Sequence, residues 1–135
     1  MHSLQTLVLS MSTRTLWLAA GWLGVAVVTY LSLVPNPPEI DLEDGDKLQH
    51  LIAYAGLMLW FAQIQTGGAD RRRTALLLVG LGIVLELAQA LTGYRTLSAA
   101  DMAVNTAGVA LGWLAAPPRS PNGFDWVSAR LRRDR

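Results

Sequence analysis

The run Leu16–Val34 carries no formal charge and lacks the polar face, repeating at 3.6 residues, that a surface helix of a soluble protein shows. Three more apolar stretches follow it: Leu48–Ile64, Thr74–Leu91 and Ser98–Ala116. A bilayer span takes about 17–25 mostly apolar residues at ~1.5 Å per residue. All four stretches meet that requirement, so the chain reads as an all-α membrane protein, four transmembrane helices in a bundle. The competing reading is a soluble helical bundle. Apolar residues make up 52% of the chain and charged residues 16%, against about 25% charged in ordinary globular domains. Ala75–Leu85 also lacks a polar face, and the soluble reading is the weaker one.

A cleaved signal peptide fits poorly. Its apolar core would be about 7–15 residues, shorter than Leu16–Val34, and Ser32-Leu33-Val34-Pro35 is a poor small-residue cleavage site. The organisation that follows is a cytoplasmic leader over 1–15, a membrane domain over 16–116 and a basic cytoplasmic tail over 117–135. Met11 is a second candidate start. At 135 residues there is room for one domain. The absence of cysteine excludes a disulfide framework, an iron–sulfur cluster and a thiolate zinc site.

Charge placement sets the orientation. Four spans put the leader, the connection between spans two and three, and the tail on one side. That side holds Arg14, Arg71, Arg72, Arg73, Arg119, Arg130, Arg132, Arg133 and Arg135, and the other holds only Lys47 and Arg95. The arginine-rich side is therefore cytoplasmic, giving both termini inside. The opposite side carries the acidic loop with Glu39, Asp41, Glu43, Asp44 and Asp46. An odd number of spans would split the arginine clusters across the bilayer.

Punctuation agrees with this count. Pro35, Pro37 and Pro38 stop the first helix, Gly67-Gly68 marks a short cytoplasmic turn, and Pro117-Pro118 ends the fourth helix. The tail mixes Phe124, Trp126, Val127 and Leu131 with arginines. It is either a segment drawn to anionic headgroups or a disordered topology signal. Arg71–Arg73 reads as a topology signal, not a nucleic-acid site. Trp17, Trp22, Tyr30, Trp60 and Trp113 fit interfacial or lipid-facing anchors. Gly108-Val109-Ala110-Leu111-Gly112 is a GxxxG helix-contact motif, read as intramolecular packing.

Polar residues inside the spans cluster at one depth. Asp46, Lys47 and His50 open span two, and Asp46, His50 and Tyr54 fall four apart on one helical face. Glu86 and Gln89 lie in the outer half of span three, with Arg95 just beyond. Asp101 and Asn105 lie in the outer half of span four, and Ser98 precedes Asp101 at the spacing of a partial N-terminal capping box. Each such group costs roughly 2.5–3.5 kcal/mol in hydrocarbon, so they must face one another or a wet cavity. Lys47 and Arg95 are expected to pair with Asp46, Glu86 or Asp101, with Gln89 and Asn105 completing the hydrogen bonding.

These residues also carry a family resemblance. Pro35, Asp46-Lys47-Leu48-Gln49-His50 with Tyr54, Glu86-x-x-Gln89, and Arg95-x-x-Ser98-x-x-Asp101-x-x-x-Asn105-x-x-Gly108 together resemble the VanZ-like family of small bacterial membrane proteins. The likeness runs from about Leu31 to Trp113. Tyr94 departs from it, separating Gly93 from Arg95 where the family commonly has a glycine–arginine pair. The resemblance implies a multi-pass protein of the bacterial cytoplasmic membrane that alters the response to cell-wall antibiotics such as teicoplanin. It supplies no reaction.

Three functions for the cluster stay open. It can be a polar network that only fixes helix packing. It can be a site for the headgroup of a lipid-linked envelope precursor or for a glycopeptide, with Lys47 and Arg95 on the anion. It can be an intramembrane hydrolase or transferase using His50, Glu86 and Asp101 as acid and base. The expected partners are membrane lipids, with no nucleic acid. No cofactor is expected, and a divalent metal held by His50, Glu86 and Asp101 is the less favoured alternative, one histidine and two carboxylates being a known ligand set.

Overall fold

The computed structural model describes residues 2–134, without the side chains of 2, 3 and 5–11. Met1, where the leader begins, and Arg135, the last arginine of the tail, lie outside the described residues. Five helices and no strand make up the described chain: α1 (His2–Leu33), α2 (Gly45–Ala62), α3 (Gly68–Leu91), α4 (Ala99–Ala115) and α5 (Gly123–Arg133). Two stretches, Ser12–Leu33 in α1 and Gly68–Leu91 in α3, are long and apolar enough to cross a bilayer. Helices α2 and α4 have 18 and 17 residues, about 27 and 25 Å, and each carries an aspartate in its first turn, Asp46 and Asp101.

Two elements differ from the sequence reading. Helix α1 runs unbroken through the expected boundary between leader and span near Leu16. Nothing there stops it, since the first proline is Pro35. The tail contains a helix of its own, α5. Its N-cap Asn122 accepts a hydrogen bond from the Asp125 amide at 3.1 Å, and three arginines fill its last turn, where they meet the negative end of the helix dipole.

The bundle is tightest between α2 and α4. Glycine makes that approach possible. A Cβ on Gly108 would come within 2.6 Å of the Leu51 carbonyl oxygen, and one on Gly112 would collide with the Ala55 carbonyl oxygen. The GxxxG motif therefore seats α4 directly on the α2 backbone, as small residues do where helices meet. Tyr54, Leu57, Met58, Leu78 and Val109 form the core beside this seam.

Several polar residues are buried beside the apolar core while many large apolar ones are exposed. Glu86, Gln89 and Asn105 are buried, whereas Leu23, Leu76, Leu77, Val84 and Leu114 are largely exposed. Trp22 and Tyr30 also face outward. Trp17 and Trp60 instead engage each other. Each indole N–H donates to the other residue's carbonyl, at 3.0 and 2.9 Å, and the rings stack with centroids 4.0 Å apart. Phe124 of α5 meets Trp17 edge-on. Gln63 ties α5 to the end of α2, its Oε1 accepting from the Gly123 amide and its carbonyl from Asn122 Nδ2.

Arg71 has a structural part beyond charge. It donates to the carbonyls of Gln65 and Ala62 and so ties the start of α3 to the chain leaving α2.

Candidate functional site

The ends of α1 and α3 and the starts of α2 and α4 converge at the end of the bundle opposite Arg71–Arg73. The local fold there begins with the acidic loop. Asp44 takes a left-handed conformation (φ 58°) just before α2. Gly45 follows, tucked so close under Ile40 that a Cβ would collide with the Ile40 carbonyl oxygen. Gln49 donates to the Pro38 carbonyl at 3.0 Å and holds the loop against α2.

Within this frame, part of the polar cluster is consumed by packing. Ser98 caps α4, its Oγ accepting from the Asp101 amide at 3.1 Å. In a capping box the third helical residue returns a carboxylate to the cap amide. Here that carboxylate comes from the neighbouring helix: the Ser98 amide donates to Glu86 Oε2 at 3.3 Å. Glu86 is 1% exposed. Gln89 donates to the Ser32 carbonyl at 2.7 Å and so pins the end of α1 to α3. Tyr94 donates to the Leu33 carbonyl one residue on.

Four of the other cluster residues face a cavity of about 100 Å³. Ser32, Asp46, Gln49, His50, Tyr54 and Arg95 are among its lining. His50 Nδ1 lies 2.9 Å from Asn105 Oδ1. An amide oxygen only accepts, so Nδ1 is the donor in this pair. Nε2 in turn lies 3.4 Å from Asp46 Oδ1. The donor atoms of Asp46, His50 and Asp101 all fall within 4.8 Å of one another. Glu86 stands outside this trio, turned to the Ser98 amide.

The expected ion pairs do not form. Lys47 turns away from the cavity to Asp44 at 3.2 Å. The left-handed turn at Asp44 places its carboxylate one helical turn from Lys47, closer than the other acids. Arg95 reaches the Ser32 carbonyl at 3.5 Å and makes no salt bridge among the described residues.

The structure thus divides the ten candidate residues. Glu86, Gln89, Ser98 and Asn105 are held in internal hydrogen bonds, and Lys47 is peripheral. Asp46, His50, Tyr54 and Arg95 border the cavity, and Asp101 sits beside the first two. Sequence reasoning missed Ser32 and Gln49 as lining residues and Tyr94 as a clamp on α1. Tyr94 stood out only as an interruption before Arg95. Ser32 acts through its backbone carbonyl, which no side-chain pattern reveals.

No family model, curated protein sequence or solved structure matches this chain.

Proposed function

We propose that this chain is a VanZ-like protein that crosses the bacterial cytoplasmic membrane four times, and that its outer-leaflet cavity binds the phosphate of a lipid-linked envelope precursor. The observation that carries the reading is Arg95. It borders the cavity with no carboxylate partner among the described residues, and a guanidinium matches phosphate bidentately. The outward-facing leucines and the buried polar groups support a lipid surround, since hydrocarbon reverses the usual cost of exposing apolar side chains. Cavity size favours a headgroup over a glycopeptide. Drug-sized ligands occupy about 300–1,000 Å³, and about 100 Å³ holds a phosphate with a water or two.

A packing role is favoured for one subset of the cluster. Glu86, Gln89 and Asn105 are buried and each already has an internal partner. They build the walls, and the cavity-lining residues bind.

Native mass spectrometry of the full chain, extracted gently with its lipids, tests the proposal. Wild type should retain a polyprenyl-phosphate-linked species, and Arg95→Ala should retain only bulk phospholipid. Retention of the same lipids by both proteins removes the cavity from consideration as a headgroup site.

A further inference from the structure

We infer that Asp46, His50 and Asp101 form a binding site for a divalent transition-metal cation of the zinc class. The inference goes beyond the phosphate reading and does not require it, because the metal would be held by protein atoms alone.

The spacing of donors comes first. A cation bound at about 2.0–2.2 Å by nitrogen and oxygen ligands has neighbouring donors about 3.3–3.6 Å apart in a tetrahedron. His50 Nε2 and Asp46 Oδ1 are 3.4 Å apart. With all three donors within 4.8 Å of one another, a small rotation of the Asp101 side chain closes the set. Asp101 makes no ion pair among the described residues, so that rotation breaks none.

The second argument is the state of the imidazole. A metal-ligating histidine almost always donates its other ring N–H to an oxygen that fixes tautomer and ring orientation. Asn105, 2% exposed, provides that oxygen from α4 at 2.9 Å. With Nδ1 engaged by Asn105, Nε2 is the ring nitrogen left to face Asp46 Oδ1, 3.4 Å away. One imidazole and two carboxylates suit first-row divalent cations, whereas sites for calcium and magnesium are built from oxygen alone. Two carboxylates also balance the charge of the cation.

The third argument is rigidity. Asp46 and His50 stand one turn apart on α2, and Asp101 stands in the first turn of α4, whose backbone is fixed by the Ser98 cap. These two helices share the closest contact in the fold. The donors therefore sit on two closely packed helices rather than on loops, which lowers the cost of assembling the site. Three protein ligands leave a coordination position open, and Asp46 and His50 both border the cavity.

The test uses the full chain in detergent, stripped of metal with a chelator, in a His2→Gln background. That leaves His50 as the one remaining histidine of two. Titration with Zn²⁺ should show one ion per chain, and magnesium in excess should not displace it. His50→Gln and Asp101→Asn should each weaken binding about 100-fold or abolish it. Asn105→Leu should weaken it about 10–100-fold through loss of the outer hydrogen bond. Asp41→Asn, in the exposed acidic loop, should bind like wild type. Nitrogen NMR of the imidazole supplies a readout without a site variant: Zn²⁺ should shift Nε2 while Nδ1 stays protonated. Absence of stoichiometric binding by wild type overturns the inference, as does an Nε2 resonance that Zn²⁺ leaves unmoved. Arg95→Ala should keep the metal whatever becomes of the lipid. Loss of metal binding alone would leave the phosphate reading standing, and loss of lipid retention alone would leave the metal site.

Discussion

Glu86 reaches from α3 to the amide that opens α4, and the arrangement has a measurable cost of removal. Glu86→Ala removes the acceptor of the part-buried Ser98 amide, a penalty of about 0.5–1.5 kcal/mol. Glu86→Gln keeps a carbonyl oxygen in place and should recover most of that stability. Asp41→Ala and Glu43→Ala, on the exposed loop, should fall within about 0.5 kcal/mol of wild type. Reversible unfolding in mixed micelles reads all four. Equal stability across the set would remove Glu86 from its structural role. At this scale the sequence was legible in its residue types but not in its pairings. The expectation that Ser98 caps the helix bearing Asp101 rested on local spacing, and the hydrogen bond is there. The partners of Lys47 and Arg95 were misassigned, because they depend on where Asp44 and Ser32 lie in space. Neither the left-handed turn at Asp44 nor the end of α1 leaves a spacing signature that names its neighbour.

Among the elements, α2 and α4 depend on small residues more than on any polar contact. Gly108→Val would drive a branched side chain into the Leu51 carbonyl and the Tyr54 Cβ. It should separate the helices and abolish the folded bundle, seen as loss of a monodisperse peak and of protease resistance. Gly80→Ala meets nothing within 4 Å and should be neutral or stabilise by about 0.5–1 kcal/mol, as helix-interior glycine usually does when replaced. A Gly108→Val protein as resistant as wild type would show that the α2–α4 contact is dispensable. The four long helices were readable from apolar runs, and the Gly108–Gly112 seam from its motif. Helix α5 was not read as a helix, although Asn122 and Asp125 stand at N-cap spacing. Its composition equally suits an unstructured basic tail, and the contact with Gln63 that anchors it lies 59 residues away in sequence.

For the whole molecule, the proposed topology places the acidic loop and the Arg71–Arg73 turn on opposite sides of the membrane. A cysteine at position 43 should label with an impermeant thiol reagent in intact cells, after permeabilisation of any outer membrane, and a cysteine at position 70 should not. The native chain has no cysteine to interfere. The opposite labelling pattern would place the cavity in the cytoplasmic leaflet and end the envelope-precursor reading. The proposed orientation rests on arginine placement, which acts through summed charge and needs no knowledge of side-chain contacts. The cavity is the least legible, since Ser32, Arg95 and the Asp46–His50 pair of α2 come from separate segments and meet only after the helices pack.

The paired indoles of Trp17 and Trp60 give the bundle an optical property of its own. Two parallel chromophores 4.0 Å apart, inclined by 9°, exchange excitation energy strongly, so their transitions split and no longer behave as two independent tryptophans. Because one ring belongs to α1 and the other to α2, the splitting measures the separation of those helices. Movement of α1 away from α2 would uncouple the pair and register in the ultraviolet spectrum without any attached probe.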